Sequence, residues 1–248
     1  MIVLYEDDSL IAIDKPAGVV VHPTYKNATD TVLDDLQWLA RDWPPGGRPS
    51  IVGRIDKLTS GIVVAAKSAA AHAAMQRVWP DTEKHYLAVV YGRVEPDVGA
   101  IELRLQRDTA DRRRVVASET EGAASRTTYE RLAHVDADAA GLSLLRCTLA
   151  TGRTHQIRVH LAASGWPIVG DPVYGEPRWT SIKDVALASA LEAFPRQALH
   201  AWRVALTHPV SGERLEIEAP VPADLAGLLA ASALPSVFAA NFPGGSCV

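Results

Sequence analysis

Short runs of β-branched and aromatic residues, separated by turn residues, constrain the fold of this chain most strongly. Such runs are typical of strands, and the Gly, Pro, Asp and Ser residues between them are typical of turns. Segments with helical spacing occur among them, but strands and helices do not alternate regularly. The pattern therefore predicts an α+β fold, with flanking helices on a mixed, mostly antiparallel central sheet.

The turn residues and apolar spacing also divide the chain into elements. Helices are predicted at 29–43, 69–79, 154–164, 184–194 and 222–231, with Ser68 and Thr154 as N-caps of the second and third. Strands are predicted within 2–23, from 51 to 67, and at 83–92, 100–106, 113–117, 124–134 and 142–150. A hairpin over 199–220 would turn at Ser211 and Gly212.

The length of 248 residues suits one sizeable domain or two small ones, and no long linker divides it. We expect one domain over residues 1–232 and a tail at 233–248, outside the core, because the tail is rich in Pro, Gly and small residues. Cys147 and Cys247 form neither a disulfide framework nor a metal motif. Without a signal-peptide pattern or a long apolar run, the chain is expected to be cytoplasmic and to have no membrane partner.

Charge alone does not decide whether the chain binds nucleic acid. The net charge of −4 argues against it, since such domains are usually basic. However, no acidic residue lies between Asp138 and Asp171, where Arg146, Arg153 and Arg158 occur, and a second basic cluster comprises Arg112, Arg113 and Arg114. Two interpretations of these arginines therefore remain open: they form one positive face, or they are separate, solvated surface residues.

Asp56 lies in an apolar run, IVGRIDKLTSG at residues 51–61, and is the first candidate for a reactive group. The hydrophobic neighbours predict a partly desolvated carboxylate that needs a partner. The Thr-Ser-Gly sequence at 59–61 would form a tight turn that presents Asp56 at a strand end. From this segment alone, an aspartate that only bonds its own turn remains an alternative.

The predicted third helix would place His155 and Arg158 on one side, since residues three apart share a helix face. Arg158 could then pair with a buried carboxylate such as Asp56 and hold it ionised. The helix start, with Arg153, offers N–H groups and a cation that suit a phosphate. A purely structural Arg–Asp pair remains an alternative.

Tyr86 lies in the strand-like run EKHYLAVVYG and is the third candidate. A tyrosine can stack on a flipped base and offer a hydroxyl for proton transfer, although a core tyrosine is the more common case. Tyr91 is assigned to the core. His155 and His160, five residues apart, face different sides of a helix, so a zinc site is not expected. His200 carries no specific signal.

Five stretches, in chain order, resemble the RluA family of pseudouridine synthases. They are DKPAG (14–18), GRIDKLTSG (53–61), KHYLAVVYG (84–92), GRTHQIRVHLAASGWPIVGDPVYG (152–175) and LHAWRVALTHPVSGE (199–213). One such motif would be weak evidence, but five in register over about residues 3–230 are specific. The resemblance implies the pseudouridine synthase fold and isomerisation of uridine to pseudouridine in structured ribosomal or transfer RNA.

The resemblance also implies roles for individual residues. Asp56 matches the catalytic aspartate, Tyr86 the tyrosine that packs against the target base, and Arg158 the arginine that pairs with the carboxylate. Arg54 matches the arginine that contacts RNA near the flipped nucleotide. Further candidates for RNA contacts are Arg153, His155, Arg112, Arg113 and Arg114.

The reaction that the resemblance implies breaks the uridine N1–C1′ bond, turns the base and rejoins it through C5, without a metal or cofactor. We expect Asp56 to act as nucleophile or as base at the sugar, Arg158 to hold it charged, and Tyr86 to stack the base and assist removal of the C5 proton. No obligate protein partner is evident, and a monomer is expected.

Two positions depart from the family signature, which has His-Arg-Leu-Asp where this chain has Gly53-Arg54-Ile55-Asp56. Isoleucine keeps the apolar volume of leucine, but glycine removes a ring and a hydrogen-bond donor. RNA contact or loop rigidity is therefore expected to differ. From the first motif, at residues 14–18, we also expect the chain to start directly in the catalytic domain, without the small N-terminal RNA-binding domain of many members.

Two other functions remain as alternatives. A catalytically silent RNA-binding module of the same fold would fit the glycine at position 53 and the acidic net charge. An N-glycosidic hydrolase would need a second carboxylate across the scissile bond, for which Asp171 is the nearest candidate.

Overall fold

One mixed sheet of eleven strands organises the computed structural model, which describes residues 1–111, 114–138 and 141–235. The strands are β1 (Ile2–Glu6), β2 (Leu10–Lys15), β3 (Ser50–Ile51), β4 (Ser60–Ala66), β5 (Glu83–Tyr91), β6 (Val98–Arg107), β7 (Val115–Ser118), β8 (Ala123–Val135), β9 (Leu142–Leu149), β10 (Leu199–Thr207) and β11 (Arg214–Glu218). The helices are α1 (Val32–Leu39), α2 (Ala69–Val78), α3 (Gln156–Ala163), α4 (Val185–Glu192) and α5 (Ala223–Ala231).

The strand order is β1-β2-β4-β10-β5-β9-β8-β6-β7, with β3 paired to β4 and β11 paired to β10. Among the described strands, β4 and β10 pair in parallel, and the other pairs are antiparallel. The predicted α+β class with a mixed, mostly antiparallel sheet is confirmed. So is the hairpin of β10 and β11, whose turn includes Gly212 at φ 76°.

Helices cover both faces of the sheet because the buried strands are apolar on both sides. In β2, Leu10 and Ala12 pack toward α2, whereas Ile11 and Ile13 pack toward α1. The largest core lies on the central strands β5 and β9, where apolar residues of α3, α4 and α5 join Leu87, Leu144 and Leu145. Tyr91 belongs to this core, as predicted, and is 1% exposed.

The parallel pairing of β4 and β10 depends on a glycine. Gly61 pairs with Ala201 and has a φ of +110°, which side chains rarely adopt. A Cβ atom at Gly61 would lie 2.1 Å from the carbonyl oxygen of Ala201. The Thr-Ser-Gly sequence therefore lets two strands approach directly after the Asp56 loop.

Two helix starts test the predicted N-caps. The Ser68 hydroxyl accepts a hydrogen bond from the Ala71 N–H, 3.1 Å away, which confirms Ser68 as the N-cap of α2. The prediction of Thr154 as the N-cap of α3 is wrong, because the N-cap position is held by His155, whose φ of 55° is left-handed. Gln156 fixes this start: its side-chain oxygen accepts from the Arg153 N–H at 3.0 Å and the Thr151 hydroxyl at 2.8 Å. The N–H group of Arg153 is therefore already engaged.

The predicted strand from 51 to 67 is interrupted. β3 ends at Ile51 and β4 begins at Ser60, so residues 52–59, with Asp56 among them, form a loop. The charged residues that stood out within an apolar run lie in this loop. We call residues 52–59 the Asp56 loop.

The predicted domain boundary at residue 232 is not where packing ends. Leu234 is 4% exposed and belongs to the largest core. Most of the predicted tail, residues 236–248, lies outside the described residues, as do Arg112 and Arg113. No helix in the described part of the chain is long and apolar enough to cross a membrane.

Candidate active site

A cleft of about 820 Å³ brings together most of the predicted site residues. Its walls include the Asp56 loop, the inner part of β5, and the segment that leads into α3. The predicted residues that line it are Asp56, Tyr86, Arg158, Arg54, Arg153 and His155.

The cleft is lined by more basic than acidic side chains, although the whole chain is acidic. The basic side chains that line it are those of Arg54, Lys57, Lys84, Arg153, Arg158 and Arg203. Among the described residues, Asp56 is the single carboxylate in the lining. The arrangement supports a polyanion such as RNA, and the net charge of −4 misled only because it averages over the surface.

Asp56 and Arg158 form an ion pair at the base of this cleft. Nη1 of Arg158 donates to Oδ2 of Asp56 at 2.8 Å, and the two side chains are 4% and 24% exposed, respectively. The buried guanidinium therefore holds the carboxylate of Asp56 from its buried side, while part of that carboxylate faces the cleft. This confirms the predicted proximity of the two residues.

Asp171 holds Arg158 from the other side. Nε and Nη2 of Arg158 donate to the two oxygens of Asp171 at 2.7 and 2.9 Å, and the Val173 and Tyr174 N–H groups donate to the same carboxylate. Burial alone would raise the pKa of Asp171, but the hydrogen bonds and charge of Arg158 lower it. Burial would likewise lower the pKa of Arg158, but Asp171 and Asp56 raise it. Both groups therefore stay charged at neutral pH.

Tyr86 projects from β5 into the cleft and is half-buried. Burial raises the pKa of its hydroxyl, and the negative charge of Asp56 raises it further. The hydroxyl is therefore protonated at neutral pH. Its ring offers an apolar surface beside the carboxylate.

His155 lies between the Asp56 carboxylate and Tyr174. Its Nε2 lies 3.9 Å from Oδ2 of Asp56, and its Nδ1 lies 2.9 Å from the Tyr174 hydroxyl. Burial lowers the pKa of His155, with Asp56 opposing and Arg158 reinforcing that shift. The neutral ring is therefore favoured. The backbone of His155 is left-handed, with a φ of 55°.

Two buried cations hold the backbone of the Asp56 loop. Lys15 is 0% exposed, and its ammonium donates to the carbonyl oxygens of Pro16, Val19 and Lys57 at 2.8, 2.8 and 3.0 Å. Nη1 of Arg196 donates to the carbonyl oxygen of Leu58 at 3.3 Å, and Asp224 accepts from its Nε and Nη2. These contacts fix the two residues that follow Asp56.

Lys15 lies in the DKPAG motif at residues 14–18, but the sequence alone predicted no role for it. Burial, reinforced by the charge of Arg196 and opposed by that of Asp56, lowers the pKa of Lys15 to about 7. A lysine in the apolar strand β2, directly before a proline, was the available signal. Arg196 gave no comparable pattern.

The predicted RNA contacts fall into separate groups. Arg54 and Arg153 are exposed and line the cleft. Arg114 does not line it; its guanidinium lies 5.7 Å from the centre of the Tyr174 ring, which also contacts Arg158 at 5.0 Å. Arg112 and Arg113 lie outside the described residues.

Two histidines, His160 and His200, are buried in the core and do not line the cleft. His200 is buried behind the Asp56 loop, with Nδ1 2.9 Å from the Ser60 hydroxyl, and Nε2 of buried His160 lies 2.9 Å from the Ser125 hydroxyl. Within the described ranges, no group of three or more His, Cys, Asp or Glu side chains could hold a metal ion.

Comparisons with known proteins agree with this geometry. Residues 9–163 match the family described as RNA pseudouridylate synthase. The chain is 44% identical over 231 residues to ribosomal large subunit pseudouridine synthase D of Nitrosomonas europaea, an alignment that covers 92% of this chain and 64% of that protein. The chain thus spans less than two thirds of the length of that relative.

Two further comparisons support the same assignment. The protein of the same name from Xanthomonas campestris is 40% identical over 232 residues, covering 92% of this chain and 68% of that protein. The solved structure titled human RNA pseudouridylate synthase domain containing 1 superposes with a TM-score of 0.71 and 25% identity, covering 96% of this chain and 91% of that one. The resemblance predicted from the five motifs is confirmed, and the chain belongs to the RluA family of pseudouridine synthases.

Proposed function

We propose that this chain converts uridine to pseudouridine in RNA, with Asp56 as the catalytic carboxylate. The observation that carries the proposal is the position of Asp56, partly exposed in a cationic cleft and held from behind by Arg158 at 2.8 Å. A carboxylate that must react with a sugar or a base needs an exposed oxygen, a fixed orientation and a stable negative charge.

In this proposal the target nucleotide leaves its stack and enters the cleft, because a stacked base keeps its glycosidic bond out of reach. The N1–C1′ bond breaks and leaves its electron pair on the ring, the base turns, and a C5–C1′ bond forms. C5 then loses its proton to water and N1 takes one up, so that the product is an isomer of the substrate. Asp56 acts as nucleophile at the sugar or the ring, or as base at the sugar, and all three routes use the same carboxylate. Arg158 positions that carboxylate and keeps it ionised.

We assign Tyr86 to contact with the base rather than to removal of the C5 proton. A general base works best when its pKa lies near the working pH, whereas burial and Asp56 raise the pKa of this hydroxyl. A protonated phenol cannot accept the proton. Its ring can still pack against a uracil and limit how far the base moves as it turns.

We further propose ribosomal RNA of the large subunit as the substrate, because the named relatives are ribosomal large subunit pseudouridine synthases. Arg54 and Arg153 would contact phosphates at the cleft mouth, and a cytoplasmic location would follow from this substrate. A monomer is the simplest state for the enzyme, since the cleft is built within one chain.

The test is tritium release from a large-subunit ribosomal RNA transcript labelled at uridine C5. We expect release by the intact protein and none by Asp56→Asn, which keeps the shape of the side chain but not its charge. Asp97→Asn is the matched control, because Asp97 also pairs with an arginine, Arg131, but outside the cleft. Normal release by Asp56→Asn would refute the assignment.

The alternatives give different results in the same assay. A silent RNA-binding module would bind the transcript equally well with and without Asp56→Asn and release no tritium. A hydrolase would yield uracil among the products. The hydrolase lacks support, because Asp171 is fully buried at its side chain, does not line the cleft, and has both oxygens bound to Arg158.

A further inference from the structure

At position 53 the neighbouring side chain of Trp79, and not the backbone conformation, leaves no room for a residue larger than glycine. The φ of Gly53 lies in the range that residues with side chains adopt readily, so the backbone would accept another residue. A Cβ atom at this position would, however, lie 2.3, 3.0 and 3.3 Å from Cζ2, Cε2 and Cη2 of Trp79. The indole occupies the space into which a side chain at position 53 would extend.

Trp79 is held firmly in this place. It begins a short 3-10 helix, Trp79–Asp81, directly after α2, and Pro80 follows it. The Lys84 ammonium lies 5.0 Å from the centre of the indole and donates to the Trp79 carbonyl oxygen at 3.0 Å. The ring is half-buried and lines the cleft, in which Gly53, Arg54 and Asp56 also lie.

We propose that Trp79 is an RNA-contacting residue of this cleft, and that its indole stacks on a nucleotide of the bound RNA. The indole fills the space that a side chain at position 53 would take, so an aromatic contact at this point of the cleft comes from position 79. This inference rests on the proposed function. It identifies a determinant of substrate binding, whereas Asp56 and Arg158 are assigned to the reaction itself.

The chemistry of the cleft favours a nucleotide as the partner of the indole. Unstacked bases of RNA are commonly bound on aromatic side chains, and every base offers a face for this contact. The phosphates of the same RNA would meet the cationic lining, where Arg54 follows Gly53 directly. An aromatic ring within a basic cleft provides both kinds of contact.

The first experiment compares Trp79→Ala with a matched tryptophan. Trp43 is the control, because a lysine, Lys67, also lies over its ring, at 4.8 Å, but Trp43 does not line the cleft. With the tritiated large-subunit transcript, we expect Trp79→Ala to raise KM roughly tenfold, since stacking on one base has about that effect. We expect Trp79→Phe to recover most of the loss and Trp43→Ala to leave KM unchanged.

A binding titration separates failure of this inference from failure of the proposed function. In the Asp56→Asn background, which blocks turnover, Trp79→Ala should weaken binding of the same transcript by a similar factor. If the intact protein releases no tritium, the proposed function fails but the titration still tests Trp79. Equal binding by Trp79→Ala and its parent would overturn the inference, whatever the activity.

A second pair of variants tests the relation between positions 53 and 79. Gly53→His alone should lower activity, because its Cβ would collide with the indole. In the Trp79→Ala background the same change should lower the KM, because the imidazole can take the vacated space. If Gly53→His is equally harmful in both backgrounds, the two rings do not substitute for one another and the proposal is wrong.

Discussion

Arg158 uses two of its three guanidinium nitrogens for Asp171 and the third for Asp56. The buried carboxylate of Asp171 thus orients the guanidinium, and the guanidinium orients the exposed carboxylate of Asp56. The Nε and Nη2 contacts to Asp171 measure 2.7 and 2.9 Å, and the Nη1 contact to Asp56 measures 2.8 Å. Because a guanidinium is planar, fixing two of its nitrogens fixes the direction of the third. The position of Asp56 thus depends on a residue that does not reach the cleft.

Replacing Arg158 by lysine should therefore abolish most of the activity. A lysine keeps the charge but cannot span both carboxylates, and a misplacement of about 1 Å can cost about a hundredfold in rate. We expect kcat in the tritium-release assay to fall by about that factor. The control is Arg131→Lys, which alters the Arg131–Asp97 pair outside the cleft. Near-normal turnover by Arg158→Lys would contradict this role.

Lys15→Met should disorder the Asp56 loop. The change leaves the carbonyl oxygens of Pro16, Val19 and Lys57 without the ammonium that they now share. Unsatisfied buried groups cost about 1–3 kcal/mol each, so the free energy of unfolding should fall by about 2 kcal/mol or more. Chemical denaturation measures this fall. Lys67→Met, which removes a more exposed ammonium, should cost less.

Two buried histidines should make the protein sensitive to mild acid. Burial lowers the pKa of both His160 and His200 to about 4, below the ordinary value of 6.5. As the pH falls from about 6.5 to about 4, the unfolded chain takes up these protons and the folded chain does not, so the free energy of unfolding decreases. Below about pH 4 this loss should level off.

Denaturation midpoints between pH 4 and pH 7 measure that dependence. His160→Gln and His200→Gln should each reduce its slope, even where they lower stability at pH 7. His72→Gln is the control, because His72 lies half-exposed on α2. An unchanged slope in both buried-histidine variants would show that other groups cause the acid sensitivity.

Arg54 and Arg153 should each contribute to the salt dependence of RNA binding. Every phosphate contact releases counterions, so removing one should reduce the slope of log K against log salt by about 1. We expect Arg54→Gln and Arg153→Gln to do so in filter-binding titrations. Arg41→Gln, an exposed arginine outside the cleft, should leave the slope unchanged. The Arg114 side chain, which rests against Tyr174, tests whether contacts extend past the cleft.

The sequence predicted the elements of the fold well where local patterns decide them. Ser68 caps α2 because a serine before an alanine-rich run satisfies an N–H group locally. Thr154 failed as a cap because Gln156, through its amide, bonds to residues 126 and 127 of β8, which no local pattern reveals. The strand predicted through Asp56 failed because distant side chains, Lys15 and Arg196, hold the loop carbonyls.

The sequence identified residues that line the candidate site, but not the residues that hold them in place. Helical spacing and the family motifs identified Asp56, Arg158 and Tyr86, and the structure brings all three to one cleft. Asp171 appeared in the sequence only as a rival carboxylate, since nothing local shows that it faces Arg158. Trp79 was missed because nothing in the sequence shows that its indole packs beside Gly53, 26 residues earlier in the chain.

The parallel pairing of β4 with β10 sets the order in which this protein can become competent during its synthesis. Asp56 is positioned by Arg158, 102 residues later, and the carbonyl oxygen of Leu58 is held by Arg196, 138 residues later. Contacts at such separation form late, because the chain between them must first be made and closed. A nascent chain that ends before β10 therefore already contains Asp56 and Arg158, but it lacks the strand that pairs with β4 directly after the Asp56 loop.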